Sequence, residues 1–251
     1  MIRVKKIQIH DLPTENPRRL YVYLPRDYAR SERRYPVLYM FDGHNVFYDS
    51  HATYGRSWGM KEYLEKSGVP LILVAVECNP EGNRRLCEYT PWSFSRREVG
   101  RIEAQGQITM DWFTQTLKPE IDRTYRTLPD REHTMIAGSS MGGLMAIYAT
   151  VAYNDVFSRA AALSPSLWVS RRHMAELIRS QTLLPPTRLY MDMGSVEAAD
   201  YPQIYTAMFD VANSLARHGA DVAARIVPGA MHNEAAWEKR IPVFFQYLLD
   251  L

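Results

Sequence analysis

A serine set among glycines is the first feature of this chain that could do chemistry. Residues Gly138-Ser139-Ser140-Met141-Gly142-Gly143 spell G-x-S-x-G, with a short apolar run before them and a helix-forming stretch after. Strand, sharp turn and helix make the setting in which such a serine is presented as a nucleophile. The turn forces Ser140 into a strained backbone conformation, and the glycines remove β-carbons that would collide with neighbouring strands. Its hydroxyl then stands at the carboxyl end of the sheet, where α/β folds bind ligands. The N–H of Met141 points at the same spot and can hold an oxyanion.

A serine nucleophile needs a base, and the base needs an orienting acid. Of the histidines, His10, His44, His51, His133, His173, His218 and His232, only the last two lie far enough beyond Ser140 to follow two further strands. His218 precedes Gly219 at a helix end, where a charge on the helix terminus accounts for it. His232 sits between the last strand and the last helix and is the expected base. The acid should follow the run Arg188–Met193, where Asp192, Glu197 and Asp200 compete. Glu197 leads, because it follows Gly194-Ser195 as the chain leaves the strand. Asp192 lies inside the run, and Asp200 suits the cap of the next helix. A second oxyanion donor is expected from Asp42-Gly43-His44-Asn45, with Gly43 permitting close approach and the His44 amide donating. The His44 side chain fits either pocket lining or solvent.

The elements that must position these groups alternate along the chain. Strand-like runs occur at Arg19–Leu24, Pro36–Phe41, Leu71–Val76, His133–Ala137, Arg159–Leu163, Arg188–Met193 and Val222–Val227. Several are apolar throughout, as strands covered on both faces are. Helical periods fall between them, at Thr109–Tyr125, Leu144–Tyr153, Tyr201–His218 and Glu234–Leu249. The pattern predicts an α/β fold with a mainly parallel sheet. Asn79–Gln107 has no clean period and reads as a loop covering the site. No linker divides the chain, so residues 1–251 read as one domain.

Composition removes other classes of function. Apolar residues make up 46% and charged residues 23%, which excludes wholesale disorder. Thirty Lys+Arg against 28 Asp+Glu leave a net charge of +2, too little for a dedicated nucleic-acid binder. No stretch approaches the ~20 apolar residues of a membrane span, and the amino-terminal residues lack a secretory apolar run. Cys78 and Cys87 read as reduced thiols, with a bridge between them as the alternative. A cytoplasmic protein without a metal site is expected. No sequence feature specifies an oligomer.

Together these residues resemble the putative-esterase family of α/β hydrolases, which includes esterase D, feruloyl esterases, mycolyltransferases and enterobactin-type siderophore esterases. The likeness runs from about Tyr21 to the carboxyl terminus. Tyr35–Asn45 resembles the family's strand and oxyanion loop; Leu117–Thr127 and Ile136–Gly143 resemble its nucleophile block, with Ser140 in place. Phe157–Trp168 follows as in many members, Gly194–Glu197 sits at the family's acid turn, and His232 falls at its histidine position. The segment Arg84–Pro91 resembles the Arg-x-x-[Asp/Glu]-Tyr-Thr-Pro stretch of trilactone siderophore esterases, which points toward catecholate or aryl esters. On that likeness Arg84 contacts substrate; the competing reading pairs it with Glu88 to brace the loop. Tyr89, Trp92 and Trp168 either line the pocket or belong to the core.

The resemblance implies a serine carboxylic-ester hydrolase of α/β-hydrolase fold, needing no cofactor and acting on a small-molecule ester. Ser140, His232 and Glu197 would form its triad, the Met141 and His44 amides its oxyanion hole. Transfer of the acyl group to a sugar or alcohol is a rival within the enzymes. A binding protein that keeps the fold without chemistry is a rival outside them, and the intact Ser–Glu–His order speaks against it.

Overall fold

Apolar strands need cover on both faces, and the helices of this chain supply it. The structure, a computed structural model, describes residues 1–197 and 203–250. Its strands are β1 (Ile2–Ile7), β2 (Arg18–Tyr23), β3 (Val37–Met40), β4 (Ile72–Val76), β5 (Phe94–Arg96), β6 (Gly100–Ile102), β7 (Thr134–Ser139), β8 (Arg159–Leu163), β9 (Arg188–Gly194) and β10 (Asp221–Val227). The main sheet has eight strands in the order β1-β2-β4-β3-β7-β8-β9-β10, while β5 and β6 form a separate hairpin. β1 with β2 and β2 with β4 run antiparallel; the pairs from β4 onward are parallel.

The register decides where the chemistry can gather. Met40 lies opposite Ala137, Ser139 opposite Leu163, Leu163 opposite Asp192, and Gly194 opposite Val227. The loops leaving β3, β7, β8, β9 and β10 therefore emerge at one end of the sheet. This is the carboxyl end, where α/β sheets bind ligands.

The helices are α1 (Met60–Ser67), α2 (Arg84–Glu88), α3 (Gly106–Trp112), α4 (Lys118–Thr124), α5 (Met141–Ala152), α6 (Arg171–Ser180), α7 (Gln203–Arg217), α8 (Glu234–Glu238) and α9 (Ile241–Leu249). One apolar layer joins the sheet to α3–α7, including Met110, Met145, Met174 and Leu215. The other joins it to α1 and α9, through Leu64, Phe244 and Leu248. α5 is buried along nearly all its length. Among the described residues, no helix is long and apolar enough to cross a membrane. Both cysteines are free thiols, Cys78 buried and Cys87 half-buried, so the bridging alternative falls.

Several expected elements are revised. β1 was invisible because it is a lysine-bearing edge strand, mostly exposed, with little apolar signal. α1 and α6 were also missed: each is short and buries only two residues, Met60 and Leu64 in α1, Met174 and Ile178 in α6. The period at Thr109–Tyr125 is real but not one α-helix, since a π-type stretch, Phe113–Leu117, joins α3 to α4. Glu234–Leu249 breaks between α8 and α9. Pro242, at the start of α9, has no N–H to continue the ladder of α8 and is well placed to begin a helix. Nor is Asn79–Gln107 irregular throughout, because it contains α2, the β5–β6 hairpin and the start of α3.

A buried ion pair anchors that segment. Arg18 on β2 meets Glu88 on α2 at 2.6 Å, with side chains 3% and 2% exposed. Glu88 also accepts the Asn79 amide at 3.2 Å. Arg18→Ala leaves a carboxylate buried without its cation and should cost about 3 kcal/mol of stability. Thermal unfolding of the variant checks this; an unchanged midpoint would show that Glu88 is held by other means.

Candidate active site

Ser140 is the residue between β7 and α5, and its backbone is strained as the motif requires, at φ 56° and ψ −121°. Such a conformation costs roughly 1–3 kcal/mol and persists only where the surroundings impose it. They do so here. A β-carbon at Gly138 would lie 2.6 Å from the Gly142 backbone, so only glycine lets α5 begin this close to β7. The Ser140 amide is held by Leu163 O at 2.9 Å. The hydroxyl is half-buried and opens on a cleft of about 800 Å³ at the carboxyl end of the sheet.

His232 and Glu197 meet across the β9 and β10 loops, with Nδ1 2.9 Å from Oε2. Glu197 is 4% exposed and His232 46%. The other carboxylate oxygen, Oε1, accepts from Ser164 Oγ at 2.7 Å, the Gly194 amide at 2.7 Å and Arg240 Nη2 at 3.2 Å. Burial pushes the Glu197 pKa up, but the hydrogen bonds from His232, Ser164 and Gly194 outweigh it and hold the carboxyl below its ordinary value. It is a carboxylate throughout the neutral range.

Ser140 and His232 line the same cleft. Among the described residues no hydrogen bond joins them, and the side-chain partner of Ser140 Oγ is Ser166 Oγ at 3.3 Å. Of the competing acids, Asp192 is fully buried and bonded to Tyr190 OH at 2.7 Å and Arg240 Nη1 at 2.8 Å. Asp200 lies outside the described residues. His218 bonds Ser214 O within its own helix end.

The loop after β3 is equally constrained. Asp42 adopts φ 55°, and a β-carbon on Gly43 would lie 2.7 Å from the Ala75 backbone, so the chain passes against β4 only as glycine. Among the described residues, the N–H groups of His44 and Met141 have no hydrogen-bond partner. The His44 side chain is buried, lines the cleft and touches Thr53 Oγ1 at 3.0 Å through Nε2. Burial lowers its pKa further than Asp42 raises it, so the ring is neutral. Of the two readings of this side chain, pocket lining holds.

The residues expected to contact substrate fall in different places. Arg84 is exposed and lines a side groove with Glu81, Arg101 and Glu103, while Glu88 is taken by Arg18, so the brace is not formed. Of the two neighbours, it is Arg85 that lines the cleft. It grips Asp42 with two bonds of 2.7 Å, and its guanidinium lies over the Tyr89 ring. Adjacent residues on a helix diverge by ~100°, so one of the two arginines had to turn away. Counting back from Glu88 in Arg-x-x-Glu lands on Arg85, a signal present in the sequence and misread. Tyr89 is buried, and its hydroxyl accepts the Asp42 amide at 3.1 Å. Trp92 stacks on His173, and Trp168 packs against Phe94 and Arg96. None of these three aromatics lines the cleft.

Sequence reasoning also missed Ser164, Trp237 and Arg240. Ser164 Oγ receives Trp237 Nε1 at 2.9 Å and Arg240 Nη1 at 3.2 Å, and Trp237 packs edge-on against His232. No motif marks them; only the fold brings them to Glu197.

The Arg85 pairing makes a prediction. Burial pushes the Asp42 pKa up, yet Arg85 overcomes this and holds it low. Arg85→Ala strands a buried carboxylate beside the His44 amide, so kcat/KM should fall ~10- to 100-fold. Arg84→Ala should stay within about twofold, as exposed surface substitutions do. Steady-state kinetics on one ester decides, and equal losses in both variants would refute the assignment.

This geometry can be set beside known proteins. A family model described as "Putative esterase" matches residues 13–249. The chain belongs to that esterase family. It is an enzyme, an esterase of α/β-hydrolase fold. An uncharacterized protein YbbA of Bacillus subtilis (strain 168) is a relative at 28% identity over 227 residues, 86% of either chain. Among solved structures, an IroE-like serine hydrolase from Shewanella oneidensis has a TM-score of 0.79 at 20% identity, over 99% of this chain and 79% of its own. The BES protein of Bacillus cereus has a TM-score of 0.76 at 19% identity, over 98% and 94%. A siderophore hydrolase EstA from Aspergillus nidulans has a TM-score of 0.74 at 17% identity, over 96% and 93%. These three likenesses are of fold.

Proposed function

We propose that this esterase hydrolyses a small polar carboxylic ester through a Ser140–His232–Glu197 triad and an acyl-enzyme. The observation that carries the reading is the His232–Glu197 contact of 2.9 Å on the cleft where the strained Ser140 opens. Three donors on Glu197 Oε1 leave Oε2 to take the Nδ1–H of His232. That sets the tautomer, with the Nε2 lone pair free to receive the Ser140 proton. The relay needs the Ser140 hydroxyl to leave Ser166 for His232, and catalytic hydrogen bonds often tighten only with substrate bound.

Attack on the ester carbonyl then places negative charge on its oxygen. The amides of Met141 and His44 receive it, both rigidly held and without competing partners. His232 passes its proton to the leaving alkoxide and afterwards activates the water that frees Ser140. The substrate sits among polar side chains from the loops after β3, β4 and β10, with Asn79, Pro80, Gly82 and Arg85 as one wall. Trp92 and Trp168 lie outside this cleft, so an aryl ester would meet Trp237 and Tyr54 in their place.

A fluorophosphonate probe tests the nucleophile. One adduct per chain, mapped to the peptide bearing Ser140, is expected; an unlabelled folded protein would favour the non-catalytic binder.

A further inference from the structure

The charges along the cleft are matched except for one. Arg85 is gripped by Asp42, Arg19 by Glu77 at 2.6 Å, and Arg56 by Glu238. Glu234, the first residue of α8 and two beyond His232, is only 6% exposed and lines the same cleft. Its Oε1 accepts from Asn45 Nδ2 at 3.2 Å, and among the described residues no cation pairs with it. A carboxylate with so little exposure, held by one neutral side-chain donor and its own backbone N–H, is costly to keep ionised without a cation. Two aromatic residues share the cleft with it, Trp237 in the wall and Tyr54, 82% exposed, at the rim. A buried acid without a cation, in a cleft that aromatic side chains help to line, is the chemistry that receives an ammonium group.

We propose that the cleft holds an ammonium subsite centred on Glu234, so that this esterase prefers esters carrying a positive charge on the leaving-group side. The inference rests on the cleft being the ester site. The matched arginines argue in the same direction. Each already carries its carboxylate, and an anionic substrate would have to displace one or accept an unpaired Glu234 as neighbour. Placement beside His232 puts the cation next to the group that protonates the leaving oxygen, several bonds from the carbonyl. A catecholate or carboxylate substrate is disfavoured by the same field.

The test uses an isosteric pair, acetylthiocholine and S-(3,3-dimethylbutyl) thioacetate, alike in shape and different in charge. Each kcat/KM is divided by the hydroxide-catalysed rate of the same ester, which removes intrinsic reactivity. Burial pushes the Glu234 pKa up, with Asp42 adding to the shift and its own backbone N–H, His232 and Arg85 opposing it, so the assay is run at about pH 8 to keep the acid ionised. Wild type should favour the cationic ester about tenfold or more, and Glu234→Gln should bring the ratio close to one. A wild-type ratio at or below one, or a ratio that survives the substitution, overturns the proposal. Binding of tetramethylammonium, read by saturation-transfer NMR against sodium chloride, does not depend on turnover. It should be clear in wild type and weak in Glu234→Gln; no binding to wild type overturns the subsite even if esters are cleaved. If tetramethylammonium binds but neither thioester nor p-nitrophenyl acetate turns over, the hydrolytic reading fails and the subsite stands.

Discussion

Ser140→Ala should lower esterase turnover by ~10⁴-fold or more and leave the fold intact, by comparison with other serine triads. The side chain is half-buried and makes a single long contact, to Ser166 Oγ at 3.3 Å, so little packing is lost. Alanine keeps the β-carbon and therefore the strained φ of 56°, neither relieving the turn nor adding to it. The loss should fall on kcat, with substrate binding nearly unchanged, because the oxyanion amides and the cleft wall remain. Thermal unfolding and steady-state kinetics on p-nitrophenyl acetate check both halves. Retention of more than a tenth of the activity would remove Ser140 from its role and make Ser166, its nearest hydroxyl, the residue to examine.

How much of this was legible in the sequence depended on the range of the forces involved. The strands of the inner sheet announce themselves because burial on both faces leaves an uninterrupted apolar run, and Ile72–Val76 is buried at every residue. The elbow at Ser140 was legible for a largely local reason, since Gly138 answers to the backbone of Gly142 four residues on. The histidine and the acid followed from chain order, and the fold does bring His232 and Glu197 into contact. What escaped was non-local. Nothing in Arg240 distinguishes it from the other arginines until α9 packs and its guanidinium reaches both Asp192 and Glu197. The choice between Arg84 and Arg85 turned on the phase of a single helical turn, which a five-residue helix cannot display as periodicity. Tyr89, Trp92 and Trp168 look alike as aromatic residues near a loop. Their roles separate only through partners far along the chain.

Glu197→Gln should reduce kcat by ~10²- to 10⁴-fold, the range expected when an orienting acid presents the wrong hydrogen-bonding face to its histidine. The three donors on Oε1 fix which end of the glutamine is acceptor, because Ser164, Gly194 and Arg240 all require an oxygen there. The amide nitrogen is then forced toward His232 Nδ1. Two donors cannot face each other, so the ring gives up its Nδ1 proton, protonates at Nε2 and no longer accepts from Ser140. Asp192→Asn should act differently. Asp192 bonds Arg240 and Tyr190 and not His232, so its loss should appear mainly as a lower unfolding temperature, with kcat falling much less. Asp200→Asn completes the series. If it proves the most damaging to kcat, the orienting acid lies three residues beyond Glu197. If none of the three lowers kcat tenfold, Ser140 and His232 work as a dyad, and Glu197 serves only to hold the loop after β9 against Arg240.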